Sequence, residues 1–291
     1  MKQSLIMTKE LTNLSYIKEL SRKYGFTFEK KFGQNFIVNP SVCPKICEFA
    51  EVDENTGVLE IGVGVGVLTS ELAKRANKVV AVEIDTTLKP LLEETLRDYD
   101  NIKIIFEDVL NVDLNKLIKE EFGDMRVVVC ANLPYYITSP IIMKLLEDKL
   151  NVDNITVMVQ KEAAVRLCAP EKSRETGAIS LAVQYYAEPK MCFNVSPGSF
   201  FPPPKVTSCV IRLDVKKDNN IKPRNEKNMF KLIRAAFQQR RKTFVNSVSS
   251  TLTIPKPEIE AALLQIGENP LVRPEKLSLR QFSQLSDIIL K

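Results

Sequence analysis

The chain has 291 residues, of which 44% are hydrophobic and 26% charged, enough for one large folded domain or a large domain with a smaller one. It contains no histidine, which excludes Ser-His and Cys-His catalysis and any metal site built on imidazole. We expect a cytoplasmic protein with no membrane partner. No stretch reaches the roughly 18 consecutive apolar residues of a membrane span, and the N-terminus is too polar for a secretory signal.

The six cysteines are scattered along the chain, and several lie inside apolar runs where a reduced thiol packs well. Cys43 and Cys47 are four residues apart, a spacing that places two side chains on one helical face. Since no second cysteine pair and no histidine completes a zinc site, we expect buried packing and no bound metal.

The predicted elements begin with an amphipathic helix at Leu14–Tyr24. From about residue 57, short β-rich apolar runs alternate with helical patterns, which is typical of an α/β fold with a doubly wound parallel sheet covered on both faces. The predicted strands are residues 58–61, 79–84, 102–106, 126–131 and 155–159. The predicted helices between them are residues 68–76, 87–97, 115–122 and 140–146.

After residue 178 the pattern changes. Residues 184–195 and 205–215 are predicted as two further strands, joined by the loop SPGSFFPPPK. The polar stretch 216–228 then predicts a linker, and the pattern beyond it is helical. The predicted domains are therefore residues 1–215, with the sheet and the N-terminal helix, and residues 216–291, a small all-helical domain.

Charge is distributed unevenly between these two parts. Residues 216–291 hold 15 Lys and Arg against 7 Asp and Glu, a net +8, whereas residues 1–215 hold 26 against 29, a net −3. This asymmetry indicates a module that faces a polyanion, although a charged helix face is also commonly just solvated. On the first predicted tail helix, basic residues lie opposite an apolar face formed by Phe230, Ile233 and Phe237. The candidate RNA contacts are Lys227, Lys231, Arg234, Arg240, Arg241 and Lys242.

The run GVLEIGVGVG places Gly62, Gly64 and Gly66 where a predicted strand turns into a helix. Glycines there let a ligand approach the main chain. Glu83 and Asp108 follow at the ends of the next two strands, so all these residues meet in one crevice at the carboxyl edge of the sheet. Glu83 is placed to bind two ribose hydroxyls, and Asp108 an adenine amine. Each acid alone is equally explained as a helix cap, and a nicotinamide-dependent dehydrogenase fits the same pattern.

The next strand ends in Asn132-Leu133-Pro134-Tyr135, at the same edge of the sheet. This tetrapeptide resembles motif IV of the amino-methyltransferases, and its NLPY form is similar to that of the ribosomal RNA adenine N6-dimethyltransferases. Three further segments agree in order, so that the resemblance covers nearly the whole chain: KKFGQNF at 30–36, ExGxGxGxLT at 60–69 and FFPPPKVTS at 200–208. It implies a Rossmann-like methyltransferase sheet that binds S-adenosylmethionine.

The chemistry of adenine fits this motif. The N6 lone pair is delocalised into the ring, and acceptors on the two N–H bonds make it available. The Asn132 side-chain oxygen and the Leu133 carbonyl, held by the rigid Pro134, are the natural pair. Since the methyl donor is an activated sulfonium, positioning supplies most of the catalysis, without imidazole. Tyr135 would stack on the base, and the resemblance carries Phe200 to its other side, although core packing is the ordinary fate of an aromatic residue.

The resemblance also assigns the segment before the sheet. Asn35 and the backbone of Ile37 would hold the methionine end of the cofactor, while Gln34 and Phe36 would shape the entrance. The complete set of expected cofactor-binding residues is Asn35, Ile37, Gly62, Gly64, Glu83, Asp108 and Asn132.

The run RAAFQQRRKT resembles the C-terminal region of the small-subunit enzymes. The resemblance implies a monomer that dimethylates two adjacent adenines in the 3′-terminal hairpin loop of small-subunit (16S) rRNA, within a 30S precursor. A large-subunit methylase of the macrolide-resistance type is the second interpretation, since it shares NxPY and FxPxPKV but usually carries Ile after the Asn and lacks QRRKT. A non-catalytic RNA-binding assembly factor with the same fold is the third, and the intact NLPY argues against it.

Overall fold

The computed structural model describes residues 11–25, 35–239 and 241–290. The helices in this part of the chain are α1 (Leu14–Tyr24), α2 (Val42–Phe49), α3 (Val67–Ala73), α4 (Lys89–Thr95), α5 (Leu114–Phe122), α6 (Thr138–Glu147), α7 (Lys161–Leu167), α8 (Ala178–Tyr186), α9 (Glu226–Phe237), α10 (Phe244–Leu252), α11 (Lys256–Gln265) and α12 (Leu279–Ile289). The strands are β1 (Phe36–Ile37), β2 (Thr56–Ile61), β3 (Lys78–Glu83), β4 (Ile102–Phe106), β5 (Arg126–Asn132), β6 (Asn154–Gln160), β7 (Ala187–Val195), β8 (Phe200–Phe201) and β9 (Ser208–Val215).

One large sheet organises the fold. Within the described residues it has seven strands in the order β4-β3-β2-β5-β6-β9-β7. The neighbours from β4 to β6 run parallel, and β9 runs antiparallel to β6. The chain order reverses between the adjacent strands β2 and β5, and ligands of such sheets bind at the carboxyl ends of the strands at this reversal. The predicted doubly wound α/β sheet is confirmed.

Burial explains why the central strands are mostly apolar. Every residue of β2 is buried, and so is every residue of β3 after Lys78. Such strands cannot alternate apolar and polar residues, since helices cover both faces. Cys43 and Cys47 lie buried on α2 and belong to the same core cluster, as their spacing predicted.

Most predicted boundaries lie within two or three residues of those observed, but two segments differ more. Residues 184–186 are the end of α8 and not the start of a strand, so this part of the prediction was wrong. The tyrosine side chains explain the helix: the Tyr186 hydroxyl donates to Glu226 at 2.7 Å, and its ring stacks on Phe230 with centroids 5.5 Å apart. The predicted linker is also shorter, because α9 begins at Glu226, where the Asn225 side chain caps the helix.

The chain divides into two compact units. The first consists of Met1–Ala164 and Pro189–Val215, and the second of Val165–Glu188 and Lys216–Lys291. The predicted domain boundary after residue 215 coincides with one junction, while the segment containing α8 groups with the tail helices. The contacts of Tyr186 with Glu226 and Phe230 account for that grouping. The assignment of the two parts to catalysis and RNA binding stays a prediction.

The second unit is built from helices around an aromatic core. Phe230 and Ile233 are buried on α9, and the half-buried Phe237 stacks on Phe282 with centroids 6.1 Å apart. Phe244 meets the same ring edge to face at 5.9 Å. The apolar face predicted for this helix therefore packs against its neighbours. None of the helices in the described part of the chain combines the length and hydrophobicity that a membrane span requires.

Candidate active site

A cleft opens at the carboxyl ends of β2, β3, β4 and β5, where the strand order reverses. The predicted site residues that line it are Asn35, Ile37, Gly62, Gly64, Glu83, Asp108, Asn132, Leu133, Pro134 and Tyr135. These residues come from segments almost a hundred positions apart in the chain, and the sheet brings them to one edge. Phe200, which was predicted from the resemblance, does not line the cleft.

Two glycines form the wall of the cleft beside β2. Gly62 and Gly64 have φ angles of +79° and +57°, in the left-handed region that side chains disfavour. A Cβ atom on Gly64 would lie 3.3 Å from the ring of Phe36, so the space in front of this loop depends on glycine. Gly66 has a different place, since it precedes α3 and packs toward Leu96 and does not line the cleft.

Glu83 holds this glycine loop at the end of β3. One carboxylate oxygen accepts from the N–H groups of Val63 at 2.7 Å and Gly64 at 3.0 Å, and the other accepts from Asp85 at 2.9 Å. Burial raises the pKa of Glu83 above its ordinary value, and the three N–H donors partly offset that effect. Because each carboxylate oxygen can accept two hydrogen bonds, the oxygen that accepts from Asp85 can still accept one from a ligand hydroxyl.

Asp108 lies at the end of β4 and is half-buried beside the cleft. Its side chain accepts from the N–H of Leu110 at 2.9 Å and so closes a tight turn. The following helix, α5, is capped by Asp113, whose carboxylate accepts from Lys116. Asp113, and not Asp108, therefore caps α5, although capping was the alternative explanation considered for Asp108.

Asn132 ends β5 with its amide at the cleft. Its Nδ2 donates to the main-chain carbonyl of Asn35 at 3.1 Å. A carbonyl can only accept, so this contact fixes which side of the amide is nitrogen and leaves Oδ1 as the acceptor. The Asn35 contribution therefore includes its main chain, a partner that sequence patterns do not reveal.

The next two residues are held as firmly. The N–H of Leu133 donates to the carbonyl of Met158 on β6 at 3.1 Å, and its side chain is buried. The carbonyl of Pro134 accepts from Ile137 at 3.2 Å and from the Thr138 hydroxyl at 3.1 Å, at the start of α6. The loop is thus fixed to the sheet on one side and to a helix on the other.

The aromatic residues predicted to sandwich a base occupy different environments. Tyr135 is half-buried in the cleft wall, its hydroxyl lies 2.6 Å from that of Ser208, and burial raises its pKa. Phe200 is 3% exposed and packs in the core of the first unit, opposite Ile37 in the two-stranded ladder of β1 and β8. The sandwich stays a prediction for Phe200, because the structure does not place its ring at the cleft.

A buried acid lies behind the glycine loop. Glu60 is fully buried on β2, two positions before Gly62, and desolvation raises its pKa to about 8. The carboxyl group is therefore mostly protonated at neutral pH. Glu60 is the first residue of the glycine motif. The sequence pattern at this position does not distinguish a buried acid from an acid that binds a ligand.

The predicted RNA contacts lie in the second unit. Lys227, Lys231 and Arg234 are exposed along one face of α9, at the i, i+4 and i+7 spacing of a helical stripe. Arg241 and Lys242, shortly after that helix, are exposed as well. Arg240 and Gln34 lie outside the described residues. Exposure is compatible with RNA contact, which stays a prediction.

The sheet has this strand order, and its carboxyl edge carries the glycine loop, the acid that ends β3 and the Asn-Leu-Pro-Tyr loop. Together these features define a Rossmann-like methyltransferase. More particularly, the chain belongs to the ribosomal RNA adenine dimethylase family, whose model matches residues 25–291. The chain is therefore an S-adenosylmethionine-dependent methyltransferase of ribosomal RNA adenine. The family, enzyme class and methyl donor predicted from the sequence are confirmed.

Individual relatives agree over almost their full lengths. The chain is 50% identical over 274 residues to the ribosomal RNA small subunit methyltransferase A of Lachnoclostridium phytofermentans. The aligned region covers 93% of this chain and 94% of that protein. It is 46% identical over 289 residues to the protein of the same name from Bacillus pumilus, covering 98% and 99%. A crystal structure of a dimethyladenosine transferase from Plasmodium falciparum superposes with a TM-score of 0.71 at 26% identity, covering 86% of this chain and 95% of that one.

Proposed function

We propose that this chain dimethylates two adjacent adenines at N6 in the 3′-terminal hairpin loop of small-subunit rRNA, acting in the cytoplasm as a monomer on a 30S precursor. Relatives at 50% and 46% identity are named for the small subunit, which favours this substrate over the large-subunit RNA of the macrolide-resistance methylases. The observation that carries the catalytic part is the Asn132 amide, fixed by the Asn35 carbonyl so that its oxygen is the acceptor at the cleft.

The cleft fits S-adenosylmethionine. The glycine loop lines the cleft, and a Cβ atom on Gly64 would crowd the Phe36 ring at 3.3 Å. Glu83 would bind the ribose hydroxyls, Asp108 the adenine amine, and Asn35 with Ile37 the methionine end. When bound, this cofactor supplies a methyl group already activated as a sulfonium. All other tasks belong to residues of the chain.

The target amine is activated by hydrogen-bond acceptors. The Asn132 Oδ1 and the Leu133 carbonyl each accept one N–H of the N6 amine, which orients its lone pair out of the ring plane. Because the Asn35 carbonyl and the Met158 carbonyl already hold these two residues, the acceptors need no rearrangement when the base arrives. Tyr135 would supply a stacking face for a base removed from its helix.

The basic face of α9 supports RNA binding by the second unit. Lys227, Lys231 and Arg234 point away from the apolar side of the helix, which is buried. Contacts of such side chains with phosphates position an RNA without reading its sequence. We assign this face to orientation of the rRNA and the cleft to chemistry.

The test is mass spectrometry of methylated RNA combined with Asn132→Ala. The wild-type chain should produce N6,N6-dimethyladenosine at two adjacent positions, and Asn132→Ala should lower the rate by at least about a hundredfold while RNA affinity stays nearly unchanged. Asn77→Ala is the matched control, because the Asn77 amide also donates to a main-chain carbonyl, that of Glu54, but precedes β3 at the opposite edge of the sheet. Unchanged methylation by Asn132→Ala would refute the role of this amide.

Two further measurements separate the finer parts of the proposal. Methyl transfer to 30S precursors but not to protein-free 23S RNA is expected, and the reverse preference would favour the large-subunit interpretation. Sedimentation of the active enzyme should give a mass near that of one 32.9 kDa chain. A stable dimer would contradict the proposed monomer.

A further inference from the structure

Two consecutive tyrosines follow Pro134 and differ in how they are held. The Tyr135 hydroxyl lies 2.6 Å from the Ser208 hydroxyl, and its ring lines the cleft. Tyr136 is 63% exposed at the rim of the same cleft. In an ordinary surface turn the side chains of both tyrosines would be exposed to solvent. The hydrogen bond of Tyr135 to Ser208 therefore requires an explanation.

Ser208 is a rigid attachment point. It is fully buried and is the first residue of β9, opposite Gln160 in the ladder with β6. The residue before it is fixed as well, since the Thr207 carbonyl accepts from the N–H of Lys161 at 2.9 Å. A hydroxyl mounted on such a strand has little freedom to follow a moving partner.

The geometry of a tyrosine side chain makes this attachment effective. The ring is joined to the main chain at one end, directly after Pro134, and the hydroxyl is at the other end. A hydrogen bond at the hydroxyl prevents the ring from swinging about its first side-chain torsion. A tyrosine phenol is protonated at neutral pH, and burial raises the pKa of Tyr135 further, so its proton is not lost across the neutral range.

We propose that Ser208 is a positioning residue for methyl transfer, which holds the Tyr135 ring in the plane on which the target adenine stacks. The inference rests on the stacking role of Tyr135 in the proposed function. Stacking fixes the base, and the base carries the amine that Asn132 and Leu133 must meet, so a tilted ring moves the nucleophile. Small misplacements of reacting groups reduce turnover strongly without weakening binding in proportion.

A double-mutant cycle tests the proposal. Ser208→Ala and Tyr135→Phe each remove one partner of the same hydrogen bond, and each should lower kcat about five- to tenfold with KM for RNA nearly unchanged. The double variant should be no slower than either single variant. Tyr24→Phe and Ser139→Ala are matched controls, because the Tyr24 hydroxyl donates to Glu94 away from the cleft and Ser139 is exposed on α6. Both variants should keep wild-type kcat.

A fluorescence measurement gives a readout that needs no turnover. An rRNA hairpin with 2-aminopurine in place of the first target adenine should be strongly quenched when bound to the wild-type chain, since the base stacks on Tyr135. Binding to Ser208→Ala or Tyr135→Phe should leave the fluorescence brighter, whereas Tyr24→Phe should match the wild type. A contact that only stabilises the fold would lower the unfolding temperature without changing kcat or quenching.

The outcomes separate this inference from the proposed function. Wild-type kcat and quenching in Ser208→Ala, or losses that multiply in the double variant, overturn the positioning role. Methylation that survives in Asn132→Ala overturns the proposed chemistry, and the quenching comparison still decides the role of Ser208. If Ser208→Ala does not fold by circular dichroism, Tyr135→Phe tests the same bond from the other partner.

Discussion

The cleft of the first unit and the basic face of α9 in the second unit are constructed in opposite ways. In the cleft, specific hydrogen bonds fix the position of polar side chains. Glu83, for example, accepts from three main-chain N–H groups. On α9, Lys227, Lys231 and Arg234 extend into solvent. We infer that loss of one hydrogen-bonding group in the cleft strongly reduces cofactor binding or catalysis. On the basic face, by contrast, RNA affinity depends on the sum of the charges. Substitutions in each region should therefore differ in the size of their effects.

The largest effect is expected from the buried acid behind the cleft. Glu60 has a pKa of about 8 in the folded chain and the ordinary value of 4.5 when unfolded. Between these values the folded state holds a proton that the unfolded state has released, so the free energy of unfolding falls as pH rises. The expected slope from this group is about 1.4 kcal/mol per pH unit from pH 5 to pH 8.

Glu60→Gln should remove the part of the slope that comes from Glu60, whereas Glu83, whose pKa burial also raises, contributes in the same direction to both the variant and the wild type. The measurement is urea unfolding at four pH values, followed by circular dichroism because the chain has no tryptophan. Glu51 and Glu121 do not interfere, since partners hold their pKa values below 4.5 and their contributions disappear only at more acidic pH. A wild-type stability that stays flat or rises from pH 5 to pH 8 contradicts a protonated Glu60.

The second prediction concerns the acid that organises the glycine loop. Glu83→Gln replaces one carboxylate oxygen with an NH2 group that cannot accept. The loop therefore loses either the bonds from Val63 and Gly64 or the bond from Asp85, because these donors bind different oxygens. Affinity for S-adenosylmethionine should fall about a hundredfold, measured by calorimetry, because the substitution removes charged hydrogen bonds and a ligand-binding group together. Glu107→Gln is the control: this acid also lines the cleft but is exposed, and it should change affinity less than about twofold. Equal effects of both variants would mean that net charge, and not the buried hydrogen bonding, holds the cofactor.

These residues show what the sequence could predict. Gly62, Glu83, Asp108 and Asn132 were found because each follows a strand, and parallel strands end at one edge of a sheet. The chemistry proposed for them was inferred from residue type and position, and for Asn132 also from the resemblance of NLPY to motif IV. The task of Glu83 in tying down the glycine loop was not predicted, because alternation along a strand does not say which main-chain groups a carboxylate will meet.

Long-range contacts account for the remaining errors and omissions. Ser208 is 73 positions from Tyr135, and a serine at the start of a strand carries no local signal of its partner. Residues 184–186 were predicted as the start of a strand, and tyrosine, which occurs twice there, is common in strands. Their contacts with Glu226 and Phe230, about forty positions away, outweigh that local preference. The role of Phe200 in stacking rests on resemblance alone and stays a prediction, since its ring packs in the core of the first unit.

A third prediction compares one glycine in each unit. Gly64 and Gly267 both have positive φ angles, +57° and +77°, but a Cβ atom would press on Phe36 at the first position and meet nothing within 4 Å at the second. Gly64→Ala should weaken S-adenosylmethionine binding about tenfold, whereas Gly267→Ala should cost about 1 kcal/mol of stability and leave binding unchanged. Calorimetry with thermal unfolding distinguishes the two effects. Weaker binding in both variants would point to backbone strain and not to the shape of the cleft.

The smallest single effects are expected on the basic face, where Lys227, Lys231 and Arg234 are all changed to Gln. RNA affinity at about 0.15 M salt should fall about fivefold, and the slope of log affinity against log salt should flatten by about 0.7 to 0.9 for each phosphate that the variant no longer neutralises. At saturating RNA, kcat should be unchanged, because no residue of the cleft is altered.

The control for that variant removes the same charge elsewhere. Lys89, Lys116 and Lys119 are exposed in the first unit, and changing all three to Gln lowers the net charge by the same amount. If the α9 face binds phosphates, this control keeps the wild-type salt slope, since released counterions come only from neutralised phosphates. If both variants weaken RNA binding alike, only net charge matters, and the second unit has no special role in holding the RNA. If only the α9 variant binds RNA more weakly, many weak charge interactions on that face hold the RNA, whereas single buried hydrogen bonds fix the polar groups of the cleft.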